Sequence, residues 1–198
     1  MIYFVKKMNL LELIKTRRTI RKFKQDPISN DILMDIIDCA RLAPCASNKQ
    51  PLEFIVITNK TLCENIFQNL RWAAYIHPNG TPNDDEKPVC YIAVIINKNR
   101  LTKWTGIDVG LAVENLILAA WAYNIGSCIL GSVNKDKVKI ILNIPDEYEL
   151  ETIIALGYPA QQSIAEDNDE TVMYYLDENG NMHVPKRPLN KIIHFDGF

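Results

Sequence analysis

The sequence predicts alternating helices and strands in one domain, and three observations carry that reading. Four apolar runs, "LEFIVIT" (52–58), "VCYIAVIIN" (89–97), "SCILGSV" (127–133) and "LETIIALGYP" (150–159), have strand composition. Stretches with apolar residues at helical spacing lie between them. The 198 residues, 47% hydrophobic and 23% charged, can bury a sizeable core and show no repeat, low-complexity segment or linker. Alternation of this kind, read alone, points to a parallel sheet.

Taken in order, Leu10, Leu11, Leu13 and Ile14 begin a short helix that runs into "TRRTIRKF" (16–23). A helix there would place Arg17 and Arg21, at i and i+4, on one face. Ser29 or Asn30 caps the next helix, whose apolar face is Ile32, Leu33, Ile36, Ile37 and Ala40. Pro44 cannot continue it. After strand 52–58, Leu62, Ile66 and Leu70 mark a further helix, and 76–88 is the longest loop-like segment. Strand 89–97 is apolar throughout, the pattern of a buried central strand. Residues 107–124 form the strongest helix candidate, apolar almost all round and in need of cover on most sides. Gly126 is placed to cap it. Residues 127–133 are strand, 135–144 helix up to Pro145 and 150–159 strand; a turn at Asn179–Gly180 joins short extended pieces of the tail.

Composition excludes several classes. A net charge of -2 with a pI near 5.9 exerts no general pull on nucleic acid or membranes. The five cysteines are odd in number and lack C-x-x-C spacing, which suits buried thiols in a reducing cytoplasm. Lys6 and Lys7 interrupt the apolar start without a signal-peptide core following, and helix 107–124 is short for a bilayer and carries Glu114. The expectation is a soluble cytoplasmic protein. No G-x-G-x-x-G fingerprint, G-x-S-x-G elbow or metal-spaced histidine pair is present; His77, His183 and His194 are scattered.

Four stretches resist a purely structural explanation. "TRRTIR" gathers Arg17, Arg18 and Arg21 around Thr19, and Arg forks with a hydroxyl suit phosphate oxygens. Taken alone, the stretch is better explained as a solvated basic helix face. "APCASNKQP" (43–51) offers Asn48 and Gln50, which carry donors and acceptors for a polar ring edge or for an ordinary capped loop. "GSCILGS" (126–132) is a glycine-bounded strand exit where backbone N–H groups can approach a ligand, or a tight turn. "VPKRPL" (184–189) holds Lys186 and Arg187 exposed between prolines, as a solvated tail would.

Their order is more specific than any one of them. "RRTIR", "APCASNKQP", "DVGLAVENLILAA" (108–120), "GSCILGS", "ALGYPA" (155–160) and "PKRPL" together resemble the nitroreductase family of FMN-dependent oxidoreductases, over about residues 10–195. The resemblance implies an α+β fold with a mixed, mainly antiparallel sheet, in an intertwined homodimer with FMN at the interface. One domain would span 1–198, with the tail from about 176 packed on the partner subunit. Arg17, Arg18 and Thr19, with Lys186 and Arg187, would grip the FMN phosphate and ribityl chain, and Arg21 would lie near the flavin pyrimidine. Pro44, Cys45, Ala46, Ser47 and Asn48, supported by Gln50, would line the ring from the other subunit. Cys45 departs from the family's common serine. Backbone at Ile129, Leu130 and Gly131 would approach flavin N5. NAD(P)H would reduce FMN, which would then reduce a small acceptor such as a nitroaromatic or quinone, with no catalytic side chain or metal required. The loop 71–88, with Trp72, Tyr75 and His77, is the candidate substrate side. A flavin-binding protein with little turnover, or a dehalogenating or flavin-consuming relative, is the alternative.

Overall fold

The computed structural model describes residues 9–198, so the N-terminal stretch 1–8 and the leader reading placed on it lie outside the described residues. Helix α1 (Leu10–Thr16) starts at Asn9, whose side chain accepts the Glu12 N–H at 2.9 Å. The helix does not continue into the basic stretch, because Arg17 already has extended backbone (φ -57°, ψ 130°). Arg17 and Arg21 therefore share no helical face. Residues 17–24 form a strap instead, with bridges from Thr19 to Ser127 and from Phe23 to Pro159. Ile20 N–H donates to Ser127 O at 2.9 Å and Lys24 N–H to Tyr158 O at 2.8 Å. These distant partners satisfy the backbone groups that a helix would have paired locally. Burial of Ile20 and Phe23 fixes the strap's inner side. Two glycines make room for it: a Cβ on Gly126 would sit 2.8 Å from Ile20 Cβ, and one on Gly157 2.8 Å from Phe23 Cβ.

Helix α2 (Asn30–Arg41) is capped by Ser29 and buries Leu33, Ile36 and Ala40. Strands β1 (Leu52–Ile57), β2 (Cys90–Asn97), β3 (Gly126–Leu130) and β4 (Tyr148–Gly157) form a sheet in the order β1-β2-β4-β3. Every neighbouring pair is antiparallel, which corrects the parallel sheet suggested by alternation. Periodicity gives strand identity but not direction, and long connections can return a chain from either end of a sheet.

β2 explains the layers. Tyr91, Ala93 and Ile95 face helix α3 (Lys60–Phe67) and helix α5 (Lys135–Ile141), while Cys90, Ile92, Val94 and Ile96 face α2 and helix α4 (Thr105–Ala122). A strand covered on both faces is apolar at every position. α3 stops at Phe67, short of Leu70, which instead bridges to Val133.

α4 is apolar and long enough to cross a membrane by length and composition, yet one side of it, from Val109 to Ala120, is buried against α2 and the sheet. Its C-terminus is not capped by Gly126, which opens β3. Asn124 takes the left-handed position (φ 57°), a conformation asparagine tolerates better than most residues.

A second sheet, β5-β7-β6, is built from β5 (Ser163–Asp167), β6 (Tyr175–Leu176) and β7 (Met182–Lys186). β5 and β7 are parallel and β6 and β7 antiparallel, with Gly180 (φ 79°) in the turn expected at Asn179–Gly180. The architecture is α+β, mixed and mainly antiparallel.

Candidate functional site

The strap carries the first group of residues. Trp121 Nε1 donates to Thr16 Oγ1 at 3.0 Å, tying the end of α1 to α4. Arg17 leaves from that junction with its Nε 4.0 Å from Glu114 Oε1, a loose pairing that leaves the guanidinium's donors available to an anion. Arg18 turns back, donating to the carbonyl of Arg17 and, at 2.6 Å, to that of Lys15. Burial, and then the neighbouring Arg17 charge, hold its pKa below the ordinary arginine value. Thr19 lies beside the buried Ser127 on β3.

β3 supplies the second group, next to the first. Cys128 and Leu130 point into the core and Ile129 points out. Burial pushes the Cys128 thiol up to about 11, so it is an inert packing group. Leu130 O accepts from the buried Thr152 hydroxyl at 3.0 Å, which fixes the strand exit. A Cβ on Gly131 would meet nothing within 4 Å, so the exit opens into free space.

Arg21 builds a feature that no motif announced. Its guanidinium lies over the Tyr174 ring at 4.7 Å, and Tyr174 meets Tyr75 at 4.9 Å between centroids. The Arg21 backbone N–H donates to Gln161 Oε1 at 3.4 Å. This column joins the strap to the 71–88 loop. The tyrosine pair at 174–175 was its only sequence signal. Trp72, in the same loop, is core rather than surface, 3% exposed.

The loop 44–50 lies elsewhere. Ser47, Asn48 and Gln50 all adopt left-handed φ near 50°. That conformation costs a non-glycine residue about 1–2 kcal/mol. Besides short-range backbone bonds, three contacts hold it. Ala46 N–H donates to Asp108 Oδ1 at 2.9 Å, Gln50 N–H to Cys45 Sγ at 3.1 Å, and Arg100 Nη1 to Gln50 O at 3.2 Å. Cys45 is therefore an acceptor that closes the loop. Beneath it lies a cavity of about 610 Å³ lined by Pro44, Cys45, Asn48, Gln50, Phe54 and Asp108. Asp108 lies in the first turn of α4 and Trp121 in its last, roughly 20 Å apart along the axis, with Glu114 beside Arg17 at roughly 9 Å from Asp108.

Lys186 and Arg187 lie on and just after β7. Lys186 pairs in register with Asp167 and its carbonyl accepts from Asn168 N–H at 2.8 Å, while Arg187 donates to Lys191 O at 3.5 Å. Among the described contacts none joins them to Arg17, Arg18 or Thr19. The structure pairs Thr19 and Ile20 with Ser127 on β3; Arg17 and Arg18 precede that bridge on the strap, and Ile129, Leu130 and Gly131 follow Ser127 along the strand. Pro44 to Gln50 form a separate cluster and the tail cations a third. Among the described residues, no group of three or more His, Cys, Asp and Glu could hold a metal.

The donor set fits a phosphorylated ring cofactor at the strap and strand exit: an available guanidinium, a hydroxyl and an unobstructed glycine edge. The chain belongs to the nitroreductase family, whose profile matches residues 14–158. It is 28% identical over 161 residues to a "Putative NADH dehydrogenase/NAD(P)H nitroreductase" of Methanothermobacter thermautotrophicus, covering 79% of this chain and 81% of the relative. It is 25% identical to an iodotyrosine deiodinase of Thermotoga neapolitana over 84% of this chain and 97% of the relative. Among solved structures, an FMN-dependent nitroreductase of Clostridium difficile R20291 matches with a TM-score of 0.60 and 26% identity, over 75% of this chain and 89% of the other.

Proposed function

We propose that the chain is an FMN-dependent NAD(P)H oxidoreductase that reduces a nitroaromatic, quinone or similar small acceptor. The observation that carries this reading is the strap, where Thr19 and Ile20 pair with Ser127 of β3 and Arg17 precedes them in extended backbone, while β3 runs on to the open exit at Gly131. Bound FMN would supply the redox chemistry, taking a hydride from NAD(P)H and passing it to the acceptor.

The chain's residues bind and orient. Arg17, Arg18 and Thr19 receive the phosphate and ribityl chain, and the exposed Lys186 and Arg187 join them in the assembled protein. Arg21, its backbone fixed by Gln161 and its guanidinium stacked over Tyr174, places a cation at the pyrimidine side, where it favours negative charge on the ring. Backbone at Ile129, Leu130 and Gly131 meets the N5 edge. Pro44, Cys45, Ala46, Ser47, Asn48 and Gln50 wall the ring from a second copy of the chain, a reading supported by the lack, among the described contacts, of any that joins this loop to Arg17, Arg18 or Thr19. Exposed Ile107 and Leu111 on α4, and Ile192, Ile193, Phe195 and Phe198 in the tail, are the apolar surfaces that a homodimer would cover. Five unpaired thiols fit a cytoplasmic setting.

The likeness to an iodotyrosine deiodinase favours reductive dehalogenation of an aromatic substrate as the second reading. FMN titration tests the cofactor reading. Arg17→Ala is expected to weaken FMN binding by about 1.5–3 kcal/mol, the worth of a hydrogen bond to a charged group. Unchanged affinity would remove Arg17 from the phosphate site. Release of iodide from iodotyrosine, with no turnover of nitroaromatics, would select the second reading.

A further inference from the structure

We propose that Asp108 is the positioning residue that sets the cofactor wall, by holding loop 44–50 in its left-handed conformation through the Ala46 N–H. The inference rests on the FMN reading above and adds a residue to it that touches neither the cofactor nor the acceptor.

Asp108 is a carboxylate only 3% exposed. Its Oδ1 accepts the Ala46 N–H at 2.9 Å, and its Oδ2 has no hydrogen-bond partner among the described residues. No cation forms an ion pair with it there, since the described ion pairs involve other carboxylates. A buried carboxylate without a counter-ion is expensive to keep, so a single bond to one backbone N–H needs a reason. Position in the fold supplies the first part. Asp108 lies in the first turn of α4, where the free N–H groups and the helix dipole favour negative charge. The loop supplies the second. Ser47, Asn48 and Gln50 are all left-handed, and their side chains are exposed, so no packing of their own enforces that shape. The loop's other bonds are local or come from exposed groups: Gln50 N–H to Cys45 Sγ, Asn48 N–H to Cys45 O, and Arg100 to Gln50 O. The Asp108 bond alone ties the loop to a buried group on a core helix. A charged acceptor makes that tie about twice as strong as a neutral one would. Since α4 also carries Glu114 beside Arg17 and Trp121 on Thr16, the same rigid helix indexes the loop at one end and the strap further along.

The test compares Asp108→Ala, which removes the acceptor, with Asp108→Asn, which keeps an oxygen at the same place without the charge. Two readouts are taken. FMN titration of the full-length protein should show Asp108→Ala binding about tenfold more weakly and Asp108→Asn within roughly threefold of wild type, as loss or retention of one hydrogen bond requires. Flavin-free protein should be cut by trypsin after the exposed Lys49 about tenfold faster in Asp108→Ala, with Asp108→Asn again near wild type and Tm changed little. Both results support the anchor. Equal behaviour of wild type and Asp108→Ala overturns it, as does an Asp108→Asn variant as impaired as the alanine one. If Asp108→Ala does not fold, hydrogen exchange in wild type decides: a protected Ala46 N–H within an exposed loop supports the anchor, and an unprotected one overturns it. Wild type that takes up no FMN sinks the cofactor reading, while cleavage and exchange still judge Asp108.

Discussion

Cys45 departs from the serine common in this family, and its sulfur accepts the Gln50 N–H at 3.1 Å. The sequence identified the departure but not the role, because an acceptor's partner five residues away depends on left-handed backbone that composition does not encode. His183 is a second residue whose meaning appears only in three dimensions. Its Nδ1 is 2.9 Å from Glu166 Oε2 and its Nε2 3.5 Å from Asp177 Oδ2, with the ring stacked on Tyr175. The Glu166 bond first, and then Asp177, raise its pKa above the ordinary imidazole value. His183 in turn holds Glu166 low, while Asp177 is lowered first by Asn181. The histidine's contribution to stability is full below its unfolded value of about 6.5 and is lost as pH rises through the raised one. The carboxylates' contribution is present above about pH 4 and is lost as pH falls through their lowered values. The β5–β7–β6 sheet is therefore expected to be held most firmly between about pH 4.5 and 6.5. Hydrogen exchange of β7 amides, corrected for intrinsic rate, should show protection falling from pH 6 to pH 8, and His183→Gln should flatten that trend.

Among the elements, α2, β2 and α4 were legible because their burial patterns are written as residue spacing. The strap was not. "TRRTIRKF" has acceptable helical spacing, and what overrides it is Ser127, Tyr158 and Pro159, more than a hundred residues away. β5 was missed for a related reason, since "SIAED" lacks an apolar signature and is a strand only through its parallel pairing with β7. The strap makes a sharp prediction. Gly126→Ala would place a methyl 2.8 Å from Ile20 Cβ, a clash with a buried side chain on a backbone that cannot retreat. A loss of about 1–3 kcal/mol in stability is expected from such overpacking. FMN affinity should fall with it, because Arg17 and Thr19 move with the strap. Denaturant unfolding and flavin titration of the same variant check both effects.

For the molecule as a whole, the order of motifs made the family readable, but nothing in a linear sequence says which pieces come from which copy. Within one chain, α4 meets the 44–50 loop at Asp108 and the strap at Glu114 and Trp121. It also presents Ile107 and Leu111, which are 55% and 40% exposed, to the outside. Leu111→Glu is expected to convert a dimer into monomers, seen by light scattering, and to lose FMN in the same step although Leu111 lies in none of the three clusters of candidate binding residues. A monomer that keeps full FMN affinity would show that one chain builds the whole site. The most direct test of the central claim is an anaerobic titration of the FMN-loaded protein with NADH or NADPH, followed by a nitroaromatic or quinone. The yellow flavin band is expected to bleach with at least one nicotinamide and to return when the acceptor is added. A flavin band that neither nicotinamide bleaches would contradict it, leaving a flavin-binding protein with little turnover.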